Sequence, residues 1–511
     1  MGVVPRAILL LLLLAALMAA TLPATILLAE RMLLGTDRIY ALIPLGAALA
    51  MAGYLLFLMI RGRRRRLLGV FIVALPLIST LHRRLELAVH GMNFYVETLL
   101  VLLLAFFLWR TSRLRGYPIA VLVCFMLGAF ALALASAAVN GVLDAGTGWF
   151  LVQEQLLPFI LFFLVLSVTR ETRELDAVIR ALMVSLVVYA ALSLVWVFVL
   201  DKTIDLDVSQ VLAARTRISG GVRRLLVGAG FVNSEVGNRV FMLLAPVAAV
   251  LIRGRAFRAG NFVYYAIIFA STYFIIATEH RAALLGGMLV FLLFVLFGRT
   301  RNVRTWMKLA ALCALLFLLH ERILEYLNRR ILLDESLMMD GSAQKRLVMW
   351  RYALDLFHRR PWLGIGPLQY LDAAMNTPAQ AITPHNYYLT LLAEQGALGL
   401  LGYLGALGAI FARGFANLRR LVSPASRRLN FGVMAGLFNY QFVLLFGGGR
   451  LSHNNVIYIH GLFWIVASLL WLLPRLEQEA PAPAGALTAP ADAAPGDGHG
   501  ESSPPVPAPV A

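Results

Sequence analysis

Apolar runs long enough to cross a lipid bilayer recur from one end of this chain to the other, and that recurrence limits the fold more than any other feature. A helix needs about 17–25 residues to traverse ~30 Å of hydrocarbon. Such runs fall at roughly 7–29, 39–60, 67–81, 94–109, 117–139, 148–168, 175–199, 236–252, 262–278, 282–298, 305–320, 386–412, 429–447 and 454–473. They are too long and too continuously apolar for barrel strands, which alternate over ~10 residues. The predicted class is all-α, a polytopic membrane protein of about 12–14 transmembrane helices with a large periplasmic loop carrying short helices. Composition excludes the alternative of an ordinary soluble protein: 60% of residues are hydrophobic and 14% charged, against about 25% charged in soluble domains.

The formal charge of +18 raises the question of nucleic acid, and its placement answers it. Most arginines stand in short clusters between apolar runs, such as Arg61–Arg66, Arg110–Arg115, Arg253–Arg258, Arg299–Arg304 and Arg413–Arg428. Those clusters fall on one side of the predicted spans, so the positive-inside rule places them and both termini in the cytoplasm. No nucleic-acid partner is expected; membrane lipids are. Met1–Ala29 resembles a signal peptide, yet its apolar stretch outruns a cleavable core and reads as the first span. Cys124 and Cys313 both lie inside apolar runs, which points to neither a disulfide framework nor a metal site. Residues 1–473 form the predicted membrane domain, and 474–511, rich in Pro and Ala, a disordered cytoplasmic tail.

Two predicted outside loops are long, 201–235 and 321–384. Within the second, Gln344–His358 reads as an amphipathic helix with Leu347, Trp350, Leu354 and Phe357 on one face. Several basic residues defy the orientation rule. Arg215, Arg217, Arg223 and Arg224 crowd the first loop, Arg281 separates two spans, and Arg450 follows Gly447-Gly448-Gly449. Charges close to the bilayer are costly and face a cavity or partner, and the guanidinium fork suits phosphate oxygens. Snorkelling to headgroups, or pairing with Glu235 and Glu279, is the plainer alternative.

Thr383-Pro384-His385-Asn386 announces a helix start, with Thr383 as cap and Pro384 in the first helical position. His385 then occupies the first turn, where the positive end of the helix dipole keeps imidazole neutral and able to accept a proton. A lone interfacial histidine is also commonly structural. Glu394 lies nine residues on, about 13 Å along an ideal helix and on its opposite face, so a His385–Glu394 pair is not expected. His453, beside Arg450, is a second candidate. No spacing of His, Cys and carboxylates forms a zinc site, and no cofactor is expected.

These residues resemble the O-antigen ligase family of bacterial membrane glycosyltransferases, which includes ligases and related polymerases. His385-Asn386 followed by Gly396 and Gly399 is similar to that family's His-[Asn/Ser/Gln]-x9-Gly-x-x-[Gly/Thr/Tyr] pattern, and Arg281 with Leu285 to its Arg-x3-Leu. Arg346, Trp350, Pro361 and Gly364-Ile365-Gly366 are similar to its periplasmic loop. The resemblance covers roughly 210–412. It departs at Leu400–Tyr403, which lacks the Thr and Trp that some ligases carry.

The resemblance implies a glycan donor on undecaprenyl diphosphate and an acceptor hydroxyl, on lipid A-core for a ligase or on another glycan for a polymerase. It implies His385 as general base and Arg281, Arg217 and Arg215 on the diphosphate; Arg346, Arg450 and His453 are additional candidates. A transporter of an anionic solute is the rival from another class, although transporters place ionisable residues near the midplane, whereas these sit at one rim. A non-catalytic scaffold of an envelope assembly is the third reading.

Overall fold

A computed structural model describes residues 51–79 (apart from 52, 56, 60 and 63), 86–89, 92–109, 117–198, 234–252, 261–277, 283, 285–290, 292, 341–374, 384–446 and 456–479. The expected spans 7–29 and 305–320, most of 39–60 and part of 282–298 lie outside these residues. So does the first long loop as far as 233.

The described chain is a helical membrane protein. Its helices are α1 (Arg64–Ser79), α2 (Val96–Trp109), α3 (Ala120–Val139), α4 (Ala145–Val168), α5 (Thr172–Phe198), α6 (Ser234–Leu251) and α7 (Phe262–Ala277), then α8 (Gly341–Arg359), α9 (Gln369–Ala374), α10 (Tyr387–Arg420), α11 (Pro424–Phe446) and α12 (Val456–Gln478). Among the described residues α3, α4, α10, α11 and α12 are long and apolar enough to span a bilayer, and α1, α2, α6 and α7 contain shorter apolar helices. Where a plain loop was expected at 82–93, Glu86–Val89 pairs antiparallel with Met92–Tyr95, Val89 opposite Met92.

Helix α12 is the hub. Every residue of its most apolar window is buried, against a third for α3 and for α10. A helix apolar on all sides belongs in a core, and α12 packs on α4 and α11 while touching α10, α6, α5 and α1. Trp471 and Tyr458 are buried within it. Helix α3, by contrast, exposes Val121, Phe125, Leu127 and Val139 along its length, a face suited to lipid chains. Cys124 lies on that face.

Close helix approach follows from glycine. Gly432 and Gly436 on α11 are one turn apart, and a Cβ on either would collide with α6, at Val250 and at the Leu243 carbonyl respectively. Small residues at this spacing let membrane helices meet backbone to backbone. Helix α4 contains a π turn at Val152–Leu156, within which Gln153 and Glu154 are buried.

One end of the bundle is tied by polar contacts. Asn417 donates to Asn430 Oδ1 at 2.9 Å and to the Leu470 carbonyl at 2.6 Å, joining α10, α11 and α12. Glu477 accepts from the amides of Val422 and Ser423 in the α10–α11 turn. Helix α12 runs to Gln478, and its last turn caps the neighbouring connection.

Candidate active site

At the opposite end, α8, α9 and the start of α10 form a small layer with its own core of Met349, Ala353, Leu356, Tyr370, Ala374 and Ala393. The amphipathic helix is present as α8, but its buried face is Met349, Ala353 and Leu356, and Leu347 and Leu354 are exposed. Buried positions at i, i+4 and i+7 describe one helical stripe. The larger side chains of the neighbouring stripe drew the sequence reading there, whereas the packed face is built around Ala353 with Tyr370 in the same cluster.

Helix α10 is interrupted at Gly396, whose φ of 67° and ψ of −170° lie in a region essentially reserved for glycine. The interruption removes two intrahelical bonds, from Ala397 N to Ala393 O and from Leu398 N to Glu394 O. Buried backbone groups require replacement partners, and the segment 361–366 supplies all of them. Ala397 N donates to Pro361 O at 2.7 Å and Leu398 N to Trp362 O at 3.3 Å. Ile365 N donates to Ala393 O and Gly366 N to Glu394 O, both at 3.0 Å. A Cβ on Gly364 or Gly396 would overlap the opposing backbone. Helix α3 clamps this joint: Ser136 donates to the carbonyls of Leu363 and Glu394, and Asn140 Nδ2 to Gly364 O at 3.1 Å.

His385 precedes α10 instead of lying in its first turn. Asn386 is the cap, its side chain accepting from Leu389 N at 3.0 Å. Asparagine is among the strongest capping residues, which is why it displaces Thr383, itself outside the described residues. His385 is half-buried and holds a positive φ of 50°, a conformation uncommon outside glycine and characteristic of constrained sites. Trp350 Nε1 of α8 donates to the Pro384 carbonyl at 2.7 Å. One turn earlier, Arg346 donates to the Phe446 carbonyl at 3.2 Å. Helix α8 thus bridges the His385 turn and the end of α11. Glu394 Oε1 accepts from Tyr370 N at 3.3 Å, and burial pushes the Tyr370 phenol up, leaving its hydroxyl a donor to Met349 O at 3.0 Å.

Below the turn lies a polar layer that the sequence reading missed. Tyr388 and Tyr403 both donate to Gln441 Oε1, at 2.9 Å each. The Tyr440 hydroxyl is 3.5 Å from His460 Nδ1, and the His460 ring is 6.4 Å from that of Tyr387. Arg239 is fully buried and within electrostatic range of Tyr440. Single polar residues inside apolar windows carry little weight in a hydropathy reading. The usable signal was Arg239 itself, a charge inside a predicted span.

Of the predicted site residues, His385 and Arg346 share the outer layer; Arg281, Arg215, Arg217, Arg450 and His453 lie outside the described residues. Ala283, two positions after Arg281, packs with Met242, Ile275 and Val443, on the helices that bear the polar layer.

Residues 266–404 match the model of the O-antigen ligase family. This segment is similar to the O-antigen ligase family. The match runs from α7 through the interrupted half of α10, so it takes in Arg281, Arg346, the 361–366 segment, His385, Gly396 and Gly399, while Arg215, Arg217, Arg450 and His453 fall outside it. No curated protein matches the chain as a relative. O-antigen ligase-type glycan transfer is the activity class that this match supports.

Proposed function

We propose that the protein transfers a glycan from an undecaprenyl diphosphate carrier to an acceptor hydroxyl at the periplasmic face of the bacterial inner membrane, with lipid A-core as acceptor. The observation that carries this reading is the position of His385: within the family match, on a constrained turn mounted by α8 and α10. His385 takes the proton of the acceptor hydroxyl as its oxygen attacks the anomeric carbon. The bond from that carbon to the phosphate oxygen breaks, and undecaprenyl diphosphate leaves with the electron pair. Arg281, Arg217 and Arg215 stabilise the charge that develops on it, and Arg450 and His453 are further candidates. Direct displacement inverts the anomeric configuration.

Leu400–Tyr403, which departs from the ligase pattern, favours a second reading, polymerisation onto another glycan. Both are tested by glycan profiles, with lipid-linked donors, from a deletion strain carrying wild type or His385→Ala. For a ligase, the wild type restores long glycan on lipid A-core, and His385→Ala leaves that glycan on the carrier. A core capped by a single repeat, or loss of a free exopolysaccharide, identifies a polymerase. A normal profile from well-expressed His385→Ala removes the histidine from the mechanism.

A further inference from the structure

Tyr388 and Tyr403 stand fifteen positions apart on α10, which on a continuous helix places them about 22 Å apart at ~1.5 Å per residue. Their hydroxyls nevertheless both donate to Gln441 Oε1, at 2.9 Å each, and their ring centroids are 6.0 Å apart. The Tyr387 ring, one position earlier, is 5.4 Å from that of Tyr403. The break at Gly396 is therefore a sharp fold: the first segment of α10, 387–395, turns back until its start comes down beside the second segment. Its burial agrees. Tyr387 and Leu391, one turn apart, pack into the main core of the bundle, whereas Leu389 and Ala393, on the opposite face, pack into the layer formed with α8 and α9. The segment thus lies between bundle and outer layer, with His385 just ahead of it.

Two sets of contacts fix where His385 sits. On the outer side, Trp350 Nε1 holds the Pro384 carbonyl. On the bundle side, Gln441 of α11, 6% exposed, joins both segments of α10. Gln441 Nε2 has no hydrogen-bond partner among the described residues, so Oε1 alone ties this amide to the folded helix. Apolar packing of the segment is non-directional, and the two bonds converging on one oxygen supply the direction.

We infer that Gln441 is a positioning residue for the transfer reaction: by bridging Tyr388 and Tyr403 it pins the folded-back segment of α10 and sets where His385 stands over the bundle. The inference rests on the proposed role of His385 as base. Gln441 reaches the histidine through Tyr388, three residues further along the chain. A catalytic group displaced by about 1 Å loses on the order of a hundredfold in rate, so loss of the bridge reads out in turnover rather than in donor affinity.

The test combines turnover with hydrogen exchange on the full chain in nanodiscs. Gln441→Leu removes the acceptor, and Gln441→Glu keeps an oxygen for both tyrosines. Gln441→Leu is expected to lower kcat by about tenfold or more, with KM for the lipid-linked donor within about twofold, and to speed exchange across 387–391 while α12 stays protected. Gln441→Glu should restore the protection and most of the turnover. If Gln441→Leu fails to fold, Tyr388→Phe combined with Tyr403→Phe removes the same two bonds and keeps both rings. A folded variant lacking the bridge with kcat within about twofold of wild type overturns the inference and leaves the transfer reaction standing. Equal impairment by leucine and glutamate, or exchange rising as much in α12, overturns it too. Full turnover by His385→Ala removes the proposed base, and the positioning role falls with it.

Discussion

Gly396 shows how one residue decides the geometry around the His385 turn. Alanine there would adopt a backbone conformation costing about 1–3 kcal/mol and would press its Cβ into the Trp362 carbonyl. Gly396→Ala is therefore expected to lower the thermal midpoint of the purified protein sharply and to lose transfer with it, whereas Gly408→Ala, with open space at its Cβ, should change neither. Asp144 offers a pH-dependent case. Its carboxylate accepts from Thr147 N at 2.6 Å at the start of α4, and that backbone bond holds its pKa below the ordinary carboxylate range. A lowered pKa means the cap stabilises the fold above the unfolded value near ~4 and is lost as pH falls through the folded value. Asp144→Asn keeps a capping oxygen but should flatten this part of the acid decline in thermal midpoint. Asp144→Ala should cost about 0.5–2 kcal/mol near neutrality. An acid decline identical in wild type and Asp144→Asn would remove Asp144 from the explanation.

At the scale of elements, the glycine contacts between α6 and α11 yield a further expectation. Gly436→Leu places a side chain where the Leu243 carbonyl stands, and α6 must withdraw. The readout is loss of monodisperse protein on extraction, with Gly53→Leu, where a Cβ meets nothing within 4 Å, as the tolerated comparison. The elements were largely legible from hydropathy: α3, α4, α11 and α12 fall where apolar runs were read, because twenty apolar residues leave few alternatives in a bilayer. The interruption of α10 was not legible, since Glu394, Gln395 and Gly396 can all continue a helix and only a backbone dihedral distinguishes a packed helical glycine from a broken one. His385 and the spacing to Gly396 and Gly399 were visible as a pattern, but their cause was hidden. Gly396 makes room for 361–366, some thirty residues earlier, and no local reading reveals a distant partner. The cap at Asn386 was missed for a local reason, as Thr383, Pro384 and Asn386 all suit a helix start and the sequence does not rank them. Arg239 and His460 were lost by averaging over apolar neighbours.

For the whole molecule, orientation follows from which residues share an end. Asn140, Arg360 and the 361–366 joint meet at the end bearing His385, while the Asn417 and Glu477 contacts close the other. In a chain with Cys124→Ala and Cys313→Ala, Trp362→Cys should react with a membrane-impermeant maleimide added to intact spheroplasts, Trp362 being 66% exposed. Val422→Cys, at 77% exposure, should react only after permeabilisation. The reverse pattern would turn the protein over and place His385 in the cytoplasm. The hub position of α12 carries a consequence for biogenesis. This helix follows every other described helix along the chain, so the spans inserted before it wait in the membrane without the surface on which they pack. A product terminated after Phe446 would hold most of the membrane helices and none of their common centre, leaving it a substrate for membrane proteases. The bundle is therefore expected to gain its resistance to membrane proteases only once α12 has been inserted.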